Sequence, residues 1–368
     1  MSCRSTIIAA ALLGILAQAP SANAREDEPT YRGRSLKEWR LMLQDDPKPE
    51  RRQAALMVIE VLGAKDSTTV RALGRAVRTD KAPEVRQRAA QLLNSLGPEA
   101  REAMDDLAAA LRADASPDVR SAAAAALGSL GVSGKAAVVL PILTTTLKDK
   151  EGKVRVAAAE AIARLGAEAE PAVPELTAVL TDAQPLVRAA AANALGRIGP
   201  NAKDAVPALA KLLDSDASPE VRKEAVQALG QLGSEAANAI DALAKMLRDS
   251  RADIRQRAAV VIGKLGKDAA AATAALLVLI KDSDKSVRAQ AVRALAAVAG
   301  PTDTVITALA GRVDDETAEV RIAAIQELAQ MGPAAKAAIP ALAAASRDSR
   351  PAVSEAAKDA LKRVQPMP

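Results

Sequence analysis

A period of 33 to 35 residues runs through the chain. Its clearest marker is an arginine that returns at Arg52, Arg86, Arg120, Arg155, Arg188, Arg222, Arg255, Arg288 and Arg321; one further unit keeps the phase with Ser354 in that place. Six residues earlier stands an aspartate, at Asp46, Asp80, Asp114, Asp149, Asp182, Asp216, Asp249, Asp282, Asp315 and Asp348. A fixed period of this length is the signature of a solenoid, in which each unit contacts only its neighbours. The length of 368 residues would otherwise suggest two or three globular domains. The repeat replaces that expectation with one extended body of about ten units.

Each unit reads as two amphipathic helices, A and B. In the sixth, Val206, Leu209, Leu212 and Leu213 fall on one face of helix A, and Val221, Ala225, Ala228, Leu229 and Leu232 on one face of helix B. Both sets keep the three-and-four spacing of a half-buried helix. Punctuation agrees. Pro49, Pro83, Pro117, Pro185, Pro219 and Pro351 stand three residues before the arginine position, the first helical turn, where a missing N–H costs nothing. Ser116 and Ser218 precede two of them as expected N-caps. Gly63, Gly97, Gly131, Gly166, Gly199, Gly233, Gly266 and Gly332 are expected to end helix B in the left-handed conformation. Pro141, Pro174, Pro207 and Pro340 are expected near the start of helix A. The fold class is therefore all-α, an α-solenoid.

The first 24 residues read as a signal peptide: Arg4, an apolar run from Ile7 to Leu16, and an Ala22-Asn23-Ala24 cleavage site. The run is too short to span a bilayer, so after cleavage no membrane span is expected and the mature protein is exported, periplasmic or extracellular. Cys3 is the sole cysteine and leaves with the signal, which excludes disulfides and thiol chemistry. Residues 25–33 form a charged leader. The solenoid then spans 34–366, with 34–67 as N-terminal cap and 337–365 as C-terminal cap. Ser35 and Glu38 form a capping box at the first helix, and Tyr31 and Trp39, the only aromatics, are expected to seal that end.

Taken together, the Asp…Pro-x-Val-Arg-x-x-Ala…Ala-Leu-x-x-Leu-Gly pattern resembles the HEAT-like repeats of the phycobilisome-lyase type, here in an exported bacterial chain. The resemblance covers about residues 34 to 365. It implies helix pairs stacked into a curved superhelix with the B helices on the concave side.

Asp80, Arg86, Asp114, Arg120, Asp149, Arg155, Asp182, Arg188, Asp216, Arg222, Asp249, Arg255, Asp282, Arg288, Asp315 and Arg321 read as structural. A carboxylate between the helices accepts from helix B N–H groups, and a guanidinium one turn into helix B offers a five-donor fork. The two are expected to form a ladder between successive units, which the resemblance also implies. The Asp-rich turns at Asp214 and Asp282 fail the calcium-loop pattern, whose sixth and twelfth positions would be Pro219 and Ala225, or Val287 and Arg293.

There is no histidine. That excludes a Ser-His-Asp triad, imidazole acid–base work and imidazole metal ligation. Related repeats occur in bilin lyases and in deoxyhypusine hydroxylase, so a lyase- or oxidoreductase-related enzyme is the alternative; nothing matches a pigment site, and the hydroxylase's His-Glu iron ligands are impossible here. No catalytic residue, metal or cofactor is expected. Fifty basic and 45 acidic residues make a mixed surface of net charge +5 with 1% aromatics, unlike a nucleic-acid binder. Binding of a protein partner remains. Two helix-B positions, five and nine residues after the arginine, avoid the core and vary between units. From these, Gln91, Asn193, Gln227, Arg293, Gln326, Arg164, Arg197 and Lys264 are the candidate partner-binding residues, and the expected role is a non-catalytic protein–protein interaction scaffold.

Overall fold

A computed structural model describes residues 30–63 and 65–365. The expected signal peptide, and residues 25–29 of the leader, lie outside the described residues. The chain divides into two compact units, Met1–Ala64 and Lys65–Pro368.

In the first unit, Thr30–Tyr31 (β1) pairs antiparallel with Arg34–Ser35 (β2), so the end of the expected leader is a tight hairpin. Arg32 at φ 50° and Gly33 at φ 75° make its turn, the conformation that suits a two-residue hairpin. Two helices follow, Leu36–Asp45 (α1) and Pro49–Val61 (α2). The capping box is present: Ser35 Oγ accepts from Glu38 N–H, and the Glu38 carboxylate accepts from Ser35 N–H at 2.7 Å. Trp39 is buried and meets Tyr31 edge-on, with ring centroids 6.4 Å apart. Arg34 lies over the Trp39 ring and Arg32 over the Tyr31 ring.

In the second unit, helices alternate without interruption. The A helices are Ser67–Thr79 (α3), Met104–Ala113 (α5), Ala136–Thr146 (α7), Val173–Val179 (α9), Val206–Ser215 (α11), Ile240–Met246 (α13), Thr273–Leu279 (α15), Asp303–Ala310 (α17) and Ile339–Ala345 (α19). The B helices are Pro83–Leu96 (α4), Pro117–Gly131 (α6), Gly152–Leu165 (α8), Pro185–Ile198 (α10), Pro219–Leu232 (α12), Ala252–Leu265 (α14), Lys285–Ala299 (α16), Ala318–Met331 (α18) and Pro351–Val364 (α20). The unit is an α-solenoid. Its core runs along its length between the two helix layers, and the residues expected to face it in α11 and α12 are all buried.

Successive B helices pack on one another far more extensively than successive A helices do. Small residues permit this. A Cβ added at Gly128 would come within 2.9 Å of Ala161 Cα, and one at Gly196 within 2.8 Å of Ala228 Cα, so the B-helix backbones are nearly in contact.

Four local expectations need correction. The glycines ending helix B do adopt positive φ, but Gly97, for example, sits at φ 58°, ψ −126°, far from the left-handed helical ψ. The chain leaves there for a 3-10 stretch, Gly97–Ala103, whose like recurs at Gly166–Ala172, Gly199–Ala205, Gly233–Ala239, Gly266–Ala272 and Gly332–Ala338. Gly131 does not end its helix in this way: it is inside α6, under Leu165 and Val139, and Gly134 takes the positive φ of 79°. Pro141 lies inside α7, because that helix begins a turn earlier, at Ala136; Pro174, Pro207 and Pro340 are in the first turn of theirs. Ser116 and Ser218 occupy N-cap positions, yet neither side chain caps. Their own N–H groups instead donate to the Asp114 and Asp216 carboxylates at 2.8 and 2.9 Å.

Candidate partner-binding face

The frame that carries the B helices is a continuous charge-assisted ladder. From Arg86 to Arg288, each guanidinium donates Nε–H to the aspartate of the next repeat, at 2.6–3.0 Å. In six of these seven pairs Nη2 donates to the second carboxylate oxygen at 2.7–2.9 Å, which makes them bidentate. Each Nη1 turns back to the carbonyl of its own repeat's aspartate at 2.8–2.9 Å. Arg321 continues the series to Asp348. Arg288 adds Glu316 and Thr317. In the first unit, Arg52 makes the same backward bond, to the Asp46 carbonyl at 2.8 Å.

The aspartates are held from a second side. Each Oδ1 accepts the N–H of the residue two positions on, such as Ser218 for Asp216. The donor belongs to the N-cap residue rather than to helix B proper, which places the carboxylate one step earlier than expected. Arg side chains in the ladder are 6–17% exposed and their aspartates 3–13%. Burial pushes the Asp216 carboxyl up, but the hydrogen bonds from Arg188 and from Ser218 N–H outweigh it and hold the group below the usual carboxylate range. The Asp216 bond likewise raises the Arg188 guanidinium above its ordinary value.

On this frame, the positions five and nine residues after the arginine all escape the core. Gln91, Gln326, Arg164, Arg197 and Lys264 are exposed, and Asn193, Gln227 and Arg293 are half-buried. Several are tied across repeats. Asn193 donates to Glu224 at 3.3 Å, Gln227 accepts from Arg257 at 2.8 Å, and Arg164 donates to the Ala125 carbonyl at 3.0 Å. The candidates do not form one cluster, since Gln91 in α4 and Asn193 in α10 are separated by two intervening B helices. Lys264 and Arg293 do come together, in a cleft of about 380 Å³ that also takes in Gln290, Glu327 and Gln330. Gln290 and Glu327 were not singled out by the sequence. The signal for Glu327 was present: it is the one charged residue six positions after a repeat arginine.

Among the described residues, no group of three or more His, Cys, Asp or Glu side chains is placed to hold a metal ion. No described helix is long and apolar enough to cross a membrane.

The family model described as HEAT repeats matches residues 36–128, 104–196, 140–217, 173–263 and 240–329, which together take in well over half of the chain. Among solved structures, the chain is similar to one of Kap95p with RanGDP, at 13% identity and a TM-score of 0.59, covering 89% of this chain and 50% of that one. It is also similar to a mutant of Kap121p, at 14% identity and a TM-score of 0.55, covering 93% of this chain and 42% of that one. The chain thus spans half or less of each neighbour's length, and at these identities the likeness is one of fold. No curated protein matches it. The recurring Asp–Arg frame, the stacked helix pairs and the family match agree: the chain belongs to the HEAT-repeat family.

Proposed function

We propose that this protein is a non-catalytic scaffold that binds a protein partner along the face made by its B helices. The observation that carries the reading is a contrast between two sets of positions. The ladder repeats the same two residues from repeat to repeat, while the solvent-facing positions beside it change among amide, cation, carboxylate and apolar side chains. A constant frame presenting a varied surface suits recognition of one extended partner, each repeat contributing a few contacts. The HEAT-repeat family and the fold likeness to Kap95p, which was solved with RanGDP, support this class. The absence of histidine and of a pigment-site match weighs against the lyase- or oxidoreductase-related alternative. The signal read at residues 1–24 supports, in this reading, work in the periplasm or outside the cell.

The test is a cross-linked capture from the source cell envelope with residues 25–368 as bait. A second bait changes Gln91, Asn193, Gln227, Arg293 and Gln326 to Ala and is first checked to keep its helical melt. A protein enriched by the first bait and lost with the second supports the B-face scaffold. Equal enrichment by both moves the site to another face, and no enrichment by either overturns the scaffold.

A further inference from the structure

Glu327 departs from a rule kept by the other repeats. Six residues after the arginine position they carry Val58, Leu92, Ala126, Ala161, Ala194, Ala228, Val261, Ala294 and Ala360, every one buried. Ala161, Ala228 and Ala294 are also the residues that meet the preceding B helix at its closest approach. A carboxylate in that place is costly, because burial disfavours charge unless donors replace the lost water. Glu327 is half-buried and has no hydrogen bond or ion pair with any described residue. Burial raises its carboxyl above the usual range, and Arg293 offsets only part of that from a distance.

The cleft above it is polar, and its side chains are left to solvent rather than to one another. Lys264, Gln290, Arg293 and Gln330 line it with Glu327, over a floor of small residues such as Gly263. None of these four polar side chains hydrogen-bonds to a described residue, whereas Asn193, Gln227 and Arg164 on the same face do. Glu327 accepts, Lys264 and Arg293 only donate, and the two glutamines do both. A lone cation would meet Lys264 and Arg293, and a lone anion would meet Glu327. A peptide main chain offers N–H donors and carbonyl acceptors together, and so answers both. Two cations against one carboxylate add a preference for acidic side chains.

We propose that the cleft between α14, α16 and α18 is an anchoring subsite for an extended, acidic peptide segment, held chiefly through its main chain with N–H groups on Glu327 and carbonyls on Arg293 and the glutamines. This rests on the scaffold reading and names the partner chemistry at one point of that face.

The test is Glu327→Ala, which restores the residue type of the other repeats. In residues 25–368 the variant is expected to melt higher by about 2–4 °C, because an unpaired half-buried charge is gone. Short random peptides with blocked ends, selected on the unaltered protein, are expected to be acidic and to bind Glu327→Ala and Arg293→Ala about tenfold more weakly, the loss of one charge-assisted hydrogen bond. N-methylation of a central peptide bond is expected to weaken binding similarly. A lower melting point for Glu327→Ala would make the carboxylate an internal structural partner of Arg293 and overturn the proposal. A higher melting point with unchanged peptide affinity would overturn it as well. If the five-alanine bait loses its captured partner while Glu327→Ala retains it, the scaffold stands and this subsite falls.

Discussion

Arg188→Ala tests whether the ladder holds neighbouring repeats together. The substitution removes two hydrogen bonds to the Asp216 carboxylate, at 2.6 and 2.8 Å, and two to the carbonyls of Asp182 and Ala183, at 2.8 and 3.2 Å. Asp216 is left with Ser218 N–H at 2.9 Å, on a side chain 3% exposed. Breaking a buried pair by removing one partner costs about 3–5 kcal/mol. Arg188 itself is 15% exposed, so water can partly re-enter, and the loss is expected at the lower end, about 3 kcal/mol. The assay is urea unfolding followed by circular dichroism at neutral pH and fixed salt, with Asp216→Ala and the double variant closing a cycle. A coupling energy of about 2 kcal/mol or more is expected between the two residues. Amide hydrogen exchange should also quicken most in α10 and α12, because a solenoid transmits stability only between neighbours. A loss under about 0.5 kcal/mol, the size of an ordinary surface change, would refute the ladder's energetic role.

Three further outcomes follow from the same geometry. Gly128→Ala is expected to lower stability by about 1–3 kcal/mol despite alanine's better helix propensity, because the new Cβ would meet the Ala161 backbone at 2.9 Å; a stabilised variant in thermal melts would show that the B helices are not so closely apposed. Leu229→Ala is expected to cost about 2–5 kcal/mol in urea unfolding, since the side chain is fully buried. For pH, burial pushes the ladder aspartates from Asp114 to Asp315 up, but the hydrogen bonds from the preceding repeat's arginine and from the N-cap N–H outweigh it and hold them below the usual carboxylate range. A depressed carboxylate stabilises the fold fully above its unfolded value and loses that contribution as pH falls through the folded one. The melting midpoint should therefore change little through this group from neutral pH to about 5 and drop steeply below about 4; a midpoint unchanged at pH 3 would contradict it.

The period made the fold legible. With apolar residues at helical spacing, prolines at N1 and a phase-locked Asp–Arg pair, the two-helix unit and its stacking followed from the residues alone. What escaped had shorter periods or depended on neighbours. The turns from Gly97 to Ala103 and their five counterparts follow a Gly-x-x-Ala-x-x-Ala pattern, with the alanines buried. That is a period of three, the 3-10 spacing, which a search for 3.6 passes over. Gly131 kept its phase but lost its role, because close packing under Leu165 required a small residue inside the helix. The candidate face was legible as positions that escape the core. Which of them bond across repeats was not, because Gln227 meets Arg257 only once the B helices are stacked. Glu327 was legible as the one charged residue six positions after a repeat arginine, but its half-burial beside Arg293 follows only once the B helices are stacked.

The most direct measurement of the central claim is site-specific photo-crosslinking in the source cell. A photoreactive residue is placed in turn at Gln227 and Gln326 on the B helices and at Lys211 and Glu175 on the A helices, all outside the core. Crosslinks to one and the same partner protein are expected from the B-helix positions and none from the A-helix positions. Crosslinks confined to Lys211 and Glu175 would contradict the B-face scaffold and place the working surface on the opposite layer.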